Sequence, residues 1–259
     1  MSNRLKQRLA AGECVRAAWA ELGSPDAAEI MVLHGWPTII IDGEHGIGDL
    51  ETWVAMARAI EAAGGHAVLR VPHGDEALLK RVLDRGFRSI IVPMVNSAAA
   101  ARDIAAACRY PGAGRRGYAA PIVRGSGFGT VPDYARQAAA RDLLLIVQCE
   151  HIDAVADLDA IMAVPGIDMV FVGPNDLAGS MDLLENLTAP ALTEAFTQIE
   201  AAAARNGCAL GTIPGPGRTW AGLAQLGYRL IAGPNDVSLL IAGAREAARA
   251  GGDSAPDWG

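Results

Sequence analysis

LLLIVQCE at 143–150 and MVFVGPND at 169–176 each run through an unbroken apolar stretch and then reach a carboxylate. Strands this apolar, read over 143–149 and 168–173, belong in the middle of a parallel sheet covered on both faces, because a sheet edge or a half-exposed strand would alternate polar with apolar. Glu150 and Asp176 therefore stand at the C-terminal ends of buried strands. Two carboxylates so placed are what a hard divalent cation needs.

Working outward from these two segments, further short β-rich runs appear at 15–20, 37–42, 66–71, 89–93, 208–213 and 229–232. Amphipathic, alanine-rich stretches lie between them, near 25–34, 49–63, 75–85, 97–108, 133–141, 152–163, 188–206, 216–226 and 237–250. Strict alternation of strand and helix implies parallel strands, and eight such units close into a single (β/α)8 TIM barrel, class α/β. Ser24-Pro25-Asp26 opens one helix as cap plus N1 proline, and Gly64-Gly65, Gly86, Gly207 and Gly227 end others. The barrel is expected to span 1–250 as one domain, with GGDSAPDWG at 251–259 as a flexible tail. One segment breaks the repeat: 109–132, rich in glycine, proline and arginine, is too long for an ordinary connection and is expected to cover the active site.

Composition excludes several classes. A hydrophobic fraction of 51% with only 5% aromatic suits aliphatic layers of helix on sheet. The net charge of −7, with arginines interspersed, argues against a nucleic-acid surface. The opening MSNRLKQRLAAGE has no apolar stretch of signal-peptide length, and no run approaches the roughly 18 apolar residues of a membrane span, so a soluble, cytoplasmic protein is expected. Cys14, Cys108, Cys149 and Cys208 lack metal or disulfide spacing and read as reduced, structural thiols.

In barrels of this kind chemistry gathers where strands end. The residues there are Trp19 and Glu21, then Asp42, Glu44 and His45, then Arg70, Gln148 and Glu150, Gly173 to Asp176, Thr212, and Asn235 with Asp236. Glu150 and Asp176, with Gln148 on the same strand face as Glu150, suit Mg²⁺ or Mn²⁺; the competing reading is helix capping by either carboxylate. His45, on the glycine-flanked turn IDGEHG at 41–46, is the candidate base, with His151 its rival. Arg70, inside the apolar HAVLRVP, needs a buried carboxylate or an anionic substrate. GAGRRG and GSGFG lack the strand-to-helix context of a phosphate loop. The only lysines are Lys6 and Lys80, neither at a strand end, which disfavours Schiff-base chemistry and favours metal-assisted enolisation.

Taken in order, IDGEHG, LRVP, LDRGFRSIIVPMVNS, RYPGAGRRG, QCE and GIDMVFVGPNDL resemble the HpcH/HpaI class II aldolases over residues 4 to 250. The resemblance implies a phosphoenolpyruvate/pyruvate-type barrel assembled into a homo-oligomer, a hexamer. It implies reversible aldol addition of a pyruvate- or hydroxypyruvate-derived enolate to an aldehyde, equivalently cleavage of 4-hydroxy-2-oxo acids. Carried over by position, Glu150 and Asp176 would hold Mg²⁺ or Mn²⁺, with Co²⁺ a further candidate. Gln148 would contact substrate, and Gly173, Pro174, Asn175 and Asp176 would receive its carboxylate. Arg70 would stabilise the enolate oxygen, and His45, or a water on the metal, would accept the proton. Asp42 would join the catalytic set, and Asp84, in LDRG, would raise the basicity of His45. Trp19 would line the substrate pocket; Leu210 either joins the 109–132 loop on the aldehyde side or is a plain core residue. The chain departs from the family pattern at Asn175, where a small residue is common, and at Asp182, where glycine is common. Two other readings are a citrate-lyase-beta type acyl-CoA lyase, with Arg109, Arg115, Arg116 and Arg124 for CoA phosphates, and a non-catalytic oxo-acid-binding barrel.

Overall fold

The computed structural model describes residues 2–251. Its strands are β1 (Val15–Ala20), β2 (Thr38–Asp42), β3 (His66–Arg70), β4 (Ser89–Val92), β5 (Leu144–Cys149), β6 (Met169–Val172), β7 (Ala209–Thr212) and β8 (Tyr228–Asn235). All pair in parallel with their sequence neighbours, and β8 closes on β1. The helices are α1 (Arg4–Ala10), α2 (Pro25–Leu33), α3 (Leu50–Ala62), α4 (Glu76–Asp84), α5 (Ala98–Ala107), α6 (Ala139–Asp142), α7 (Ile152–Ala156), α8 (Leu158–Met162), α9 (Pro174–Ser180), α10 (Pro190–Asn206), α11 (Trp220–Gln225) and α12 (Asp236–Ala250). The eight-unit barrel read from the sequence is therefore the fold. The tail at 252–259 lies outside the described residues. Among the described residues no helix is long and apolar enough to cross a membrane.

Side-chain alternation along the strands builds two apolar layers. Ala17, Trp19, Ile40, Val68, Ile91, Leu144, Ile146, Met169, Phe171 and Leu230 point inward and pack together. Ile39, Ile41, Leu69, Ile90, Leu145, Val147, Val170, Leu210 and Ile231 point outward into the helix layer. Of the two roles open to Leu210, pocket wall or core, it takes the core role beneath the helices; one register step separates the two outcomes.

The helix signals act as read. The Ser24 side chain accepts from the Ala27 amide with Pro25 in the first turn, and Gly64, Gly86, Gly207 and Gly227 all take positive φ. The expected helix at 152–163 breaks at Asp157, which accepts a hydrogen bond from the Ala98 amide at 2.6 Å. Asp182 adopts φ 57°, a left-handed conformation in which glycine is favoured and aspartate tolerated.

An additional element, α1, seals the floor of the barrel. Leu5 and Leu9 enter the inner layer, and the Asn3 amide donates to Arg88 O, Asp142 O and the Ser89 hydroxyl, each at 3.0 Å. Lys6 pairs with Asp168 at 2.8 Å on the same floor. The 109–132 segment also belongs there. It leads from the end of α5 toward α6 and β5, and it pairs Arg116 with Asp84 at 2.6 Å and Arg124 with Glu61 at 2.8 Å, at the C-terminal ends of α4 and α3. The expectation that it covers the site of its own chain is overturned, because a helix-to-strand connection lies at the end opposite the mouth.

Candidate active site

The mouth is built from residues that continue the inward-facing rows above the apolar layers. Asp42 and Arg70 are partners in the β2–β3 register. Arg70 donates from Nε to one Asp42 oxygen at 3.0 Å and from a terminal nitrogen to the other at 2.5 Å. Its second terminal nitrogen lies 3.2 Å from Glu44. The guanidinium rests on the Trp19 ring, 4.6 Å from the centroid, and Trp19 in turn meets Phe171 edge to face. This arrangement answers the question raised by a buried arginine: a bidentate carboxylate and an aromatic face compensate its desolvation. Two of its five N–H groups remain for a bound oxygen.

Asp42 is 1% exposed and also accepts from the Glu44 and His45 amides at 3.0 and 3.2 Å, so it shapes the turn and orients Arg70. Trp19 supports Arg70 from below rather than lying open to solvent. The His45 side chain is 65% exposed above the mouth, and its nearest carboxylate is Glu44 at 3.9 Å. Asp84 is at the other end of the molecule, paired with Arg116. Within one chain it does not approach His45.

Glu150 is 2% exposed. One oxygen accepts from the Met94 amide at 2.7 Å and the other from the Gln148 amide at 2.5 Å. Met94 takes φ 53° to present that N–H, a role no sequence signal marks. Burial pushes the Glu150 carboxyl up to about 7; the Met94 hydrogen bond opposes the shift, the Glu44 and Asp176 carboxylates add to it, and Arg70 opposes it. Capping is not the explanation for either carboxylate. His151 caps α7 through its own ring nitrogen, which also removes it as a rival base, and Gly173 holds the cap position of α9, with Asp176 exposed in the first turn.

Three features fit a divalent cation. The Asp176 charge acts on Glu150, Gln148 Oε1 is buried without a hydrogen-bond partner, and Gly173 leaves room where a Cβ would stand 2.6 Å from Glu150 Oε2. Among the described residues no three His, Cys, Asp or Glu side chains converge as a complete cage, so the remaining positions suit waters or a chelating substrate. Neither lysine is available: Lys6 is on the floor and Lys80 lies within α4. The arginines considered for CoA phosphates are engaged elsewhere, Arg109 with Gly166 O, Arg115 with Glu76, Arg116 with Asp84 and Arg124 with Glu61.

Residues 17–242 match the family model described as HpcH/HpaI aldolase/citrate lyase. A protein named hydroxypyruvate/pyruvate aldolase from Pseudomonas aeruginosa is 37% identical over 250 residues, covering 95% of this chain and 91% of its own. A 5-keto-4-deoxy-D-glucarate aldolase from Klebsiella pneumoniae is 36% identical over 79% of each chain. The crystal structure of an HpcH/HpaI aldolase/citrate lyase family protein from Burkholderia cenocepacia superposes with a TM-score of 0.89 at 35% identity, covering 96% of this chain and 98% of that one. With a closed barrel and a carboxylate-lined mouth free of lysine, the chain belongs to the HpcH/HpaI aldolase/citrate lyase family.

Proposed function

We propose that this chain is a divalent-metal-dependent aldolase that adds the enolate of pyruvate or hydroxypyruvate to an aldehyde and, in reverse, cleaves 4-hydroxy-2-oxo acids. The observation that carries this reading is the buried Glu150 carboxyl, which lies within the fields of Asp176 and of a braced Arg70, in a mouth without lysine. Glu150 and Asp176 would hold Mg²⁺ or Mn²⁺, with Co²⁺ an alternative of the same charge. Bound there, the ion supplies Lewis-acid polarisation of the keto group.

The chain's own groups account for the rest. The amides around Asn175 and Asp176, with Gly173 and Pro174 shaping the turn, receive the substrate carboxylate, and Gln148 lies beside it. His45 takes a proton from C3 of the oxo acid, and the electron pair moves to the keto oxygen. Arg70 donates its remaining N–H groups to that oxygen. Because the charge develops only as the proton leaves, this stabilisation favours the transition state over the ketone. C3 then attacks the aldehyde carbon, whose oxygen becomes the new hydroxyl on taking a proton.

Asp84 can act on His45 only from a second copy, since its own His45 is at the opposite end of the barrel. A homo-oligomer gives it that opportunity. The long α12 supports one, because its residues from Ser238 on are exposed, Leu240 at 64%, and a helix of 15 residues is marginal without a packing partner. Four free cysteines are consistent with a reducing compartment such as the cytoplasm.

The test is turnover of pyruvate or hydroxypyruvate with a simple aldehyde, abolished by EDTA and restored by Mn²⁺ or Mg²⁺. Activity that survives metal removal, together with inactivation by borohydride in the presence of pyruvate, would replace this mechanism with a covalent one. Mixing Asp84→Ala with His45→Ala subunits should regain part of the activity that each lacks alone.

A further inference from the structure

The nucleophile is held on one side of the mouth, by Arg70 at the end of β3, Gln148 and Glu150 at the end of β5, and Asp176 after β6. In a closed barrel of eight strands in sequence order, β1 lies across from β5. An aldehyde that meets the enolate must therefore extend its remaining carbons toward the wall formed by β1 and β8. That wall carries Glu21, just after β1, and Asn235, at the end of β8.

Glu21 is fixed through its backbone. Its amide and that of Leu22 donate to the two oxygens of the buried Asp236, at 2.9 and 3.0 Å, and its carbonyl accepts from Ile47 at 2.7 Å. Gly46, in the turn that carries His45, would place a Cβ 3.1 Å from the Glu21 Cα, so turn and residue are in direct contact. The side chain is far less constrained. Its one hydrogen bond is a long one, 3.4 Å, from the Asn235 amide. Burial raises its carboxyl above the ordinary range; Asp42 and Asp236 add to the shift and Arg70 opposes it, so the group lies within the field of the mouth.

The other carboxylates on this side are buried and engaged by several donors each. Asp42 is bound by Arg70 and two amides, and Asp236 by the amides of Glu21, Leu22 and Val237. Among the described residues of the wall that the aldehyde must meet, Glu21 is the carboxylate with the most free acceptor capacity, and it is half-buried rather than closed off. We propose that Glu21 selects the aldehyde, accepting a hydrogen bond from a hydroxyl beyond the carbonyl and turning away aldehydes that carry a carboxylate. This assignment rests on the aldolase reading above. It uses two separate effects: a hydroxyl satisfies the acceptor, whereas a second carboxylate meets like charge.

The experiment compares kcat/KM for glyceraldehyde, succinate semialdehyde and propanal with pyruvate as donor, in wild type, Glu21→Gln and Glu21→Asp. Propanal, which has neither hydroxyl nor charge, is the internal reference. In Glu21→Gln the glyceraldehyde-to-propanal ratio should fall about tenfold and the succinate semialdehyde-to-propanal ratio should rise about tenfold. In Glu21→Asp, which keeps the charge but withdraws it, only the glyceraldehyde ratio should fall. A uniform loss on all three aldehydes, or ratios unchanged in a variant that still turns over propanal, overturns the assignment and leaves the aldolase reading standing. A wild-type protein inactive on all three overturns both.

Discussion

Replacing Gly173 by alanine tests the metal reading through a single atom. Gly173 has φ −92° and ψ 94°, a conformation any residue adopts, so the backbone is no obstacle. The added Cβ would stand 2.6 Å from Glu150 Oε2 and 2.9 Å from Glu150 Cβ. Ordinary contact begins at 3.4 Å, so the carboxylate must retreat by roughly 0.8 Å. It cannot do so freely, because its two oxygens are tied to the Met94 amide at 2.7 Å and to Gln148 at 2.5 Å. Displacing a ligand or its supports by this much lowers metal affinity by about 10- to 100-fold, and a misplacement near 1 Å lowers turnover by about 10²-fold. Overpacking adds a folding penalty of about 1–3 kcal/mol. The assay is titration with Mn²⁺, followed by the signal of the free ion, then kcat at saturating Mn²⁺. Gly179→Ala, whose Cβ would meet only Leu184 at 3.7 Å, is the control. If Gly173→Ala bound Mn²⁺ and turned over within twofold of wild type, Glu150 would not be a ligand and the site would have to be sought elsewhere.

Arg70→Lys keeps the charge but loses the bidentate grip on Asp42 and the planar contact with Trp19; kcat should fall about 10²- to 10³-fold with an unchanged circular-dichroism spectrum, and a loss under threefold would reject the arginine's role. The metal-free protein should lose stability with rising pH. Glu150 has a folded pKa of about 7 against 4.5 unfolded, so its contribution is fully present below about pH 4.5 and disappears as pH passes through 7, on the order of 3 kcal/mol. Melts in EDTA from about pH 5 to about pH 8 should show wild type falling relative to Glu150→Gln, and Mn²⁺ should remove the difference; parallel curves would contradict the shift. Leu210→Ala should cost about 2–5 kcal/mol in denaturant titrations while leaving the preference among aldehydes intact, because the side chain faces the helix layer.

The fold was legible because every strand is a short aliphatic run flanked by helix caps, and those signals are local. The eight strands fall where the apolar runs do. Glu150, Asp176 and Arg70 were legible for a related reason, since a charged residue at the end of or inside such a run must meet another charge or an ion. What could not be read depended on direction and on distant partners. Leu210 and Gln148 look alike as strand residues, and only the register decides which faces inward. Met94 is hydrophobic and sits in the loop after β4, yet its backbone amide holds Glu150. The 109–132 loop was assigned to the wrong end because length and composition signal function without saying to which end of the barrel a connection belongs. α1 carries little signal of its own, since three of its seven residues are charged and its two leucines gain meaning only once a barrel floor exists to receive them.

The two ends of the barrel bear on stability in opposite ways. The mouth gathers Glu21, Asp42, Glu44, Glu150 and Asp176 around one arginine, and burial raises Glu21, Glu44 and Glu150 above their ordinary range. Each raised carboxyl weakens the fold at neutral pH when it ionises. The floor shows no such excess, because Asn3 satisfies two carbonyls and a hydroxyl, Lys6 neutralises Asp168, and Leu5 and Leu9 extend the apolar layer. The unneutralised charge thus gathers at the mouth, where the two positive charges of a divalent cation would offset part of it. Binding a divalent cation should therefore raise stability most at neutral and higher pH, where the carboxylates are ionised, and least in acid, where protons already do the ion's work.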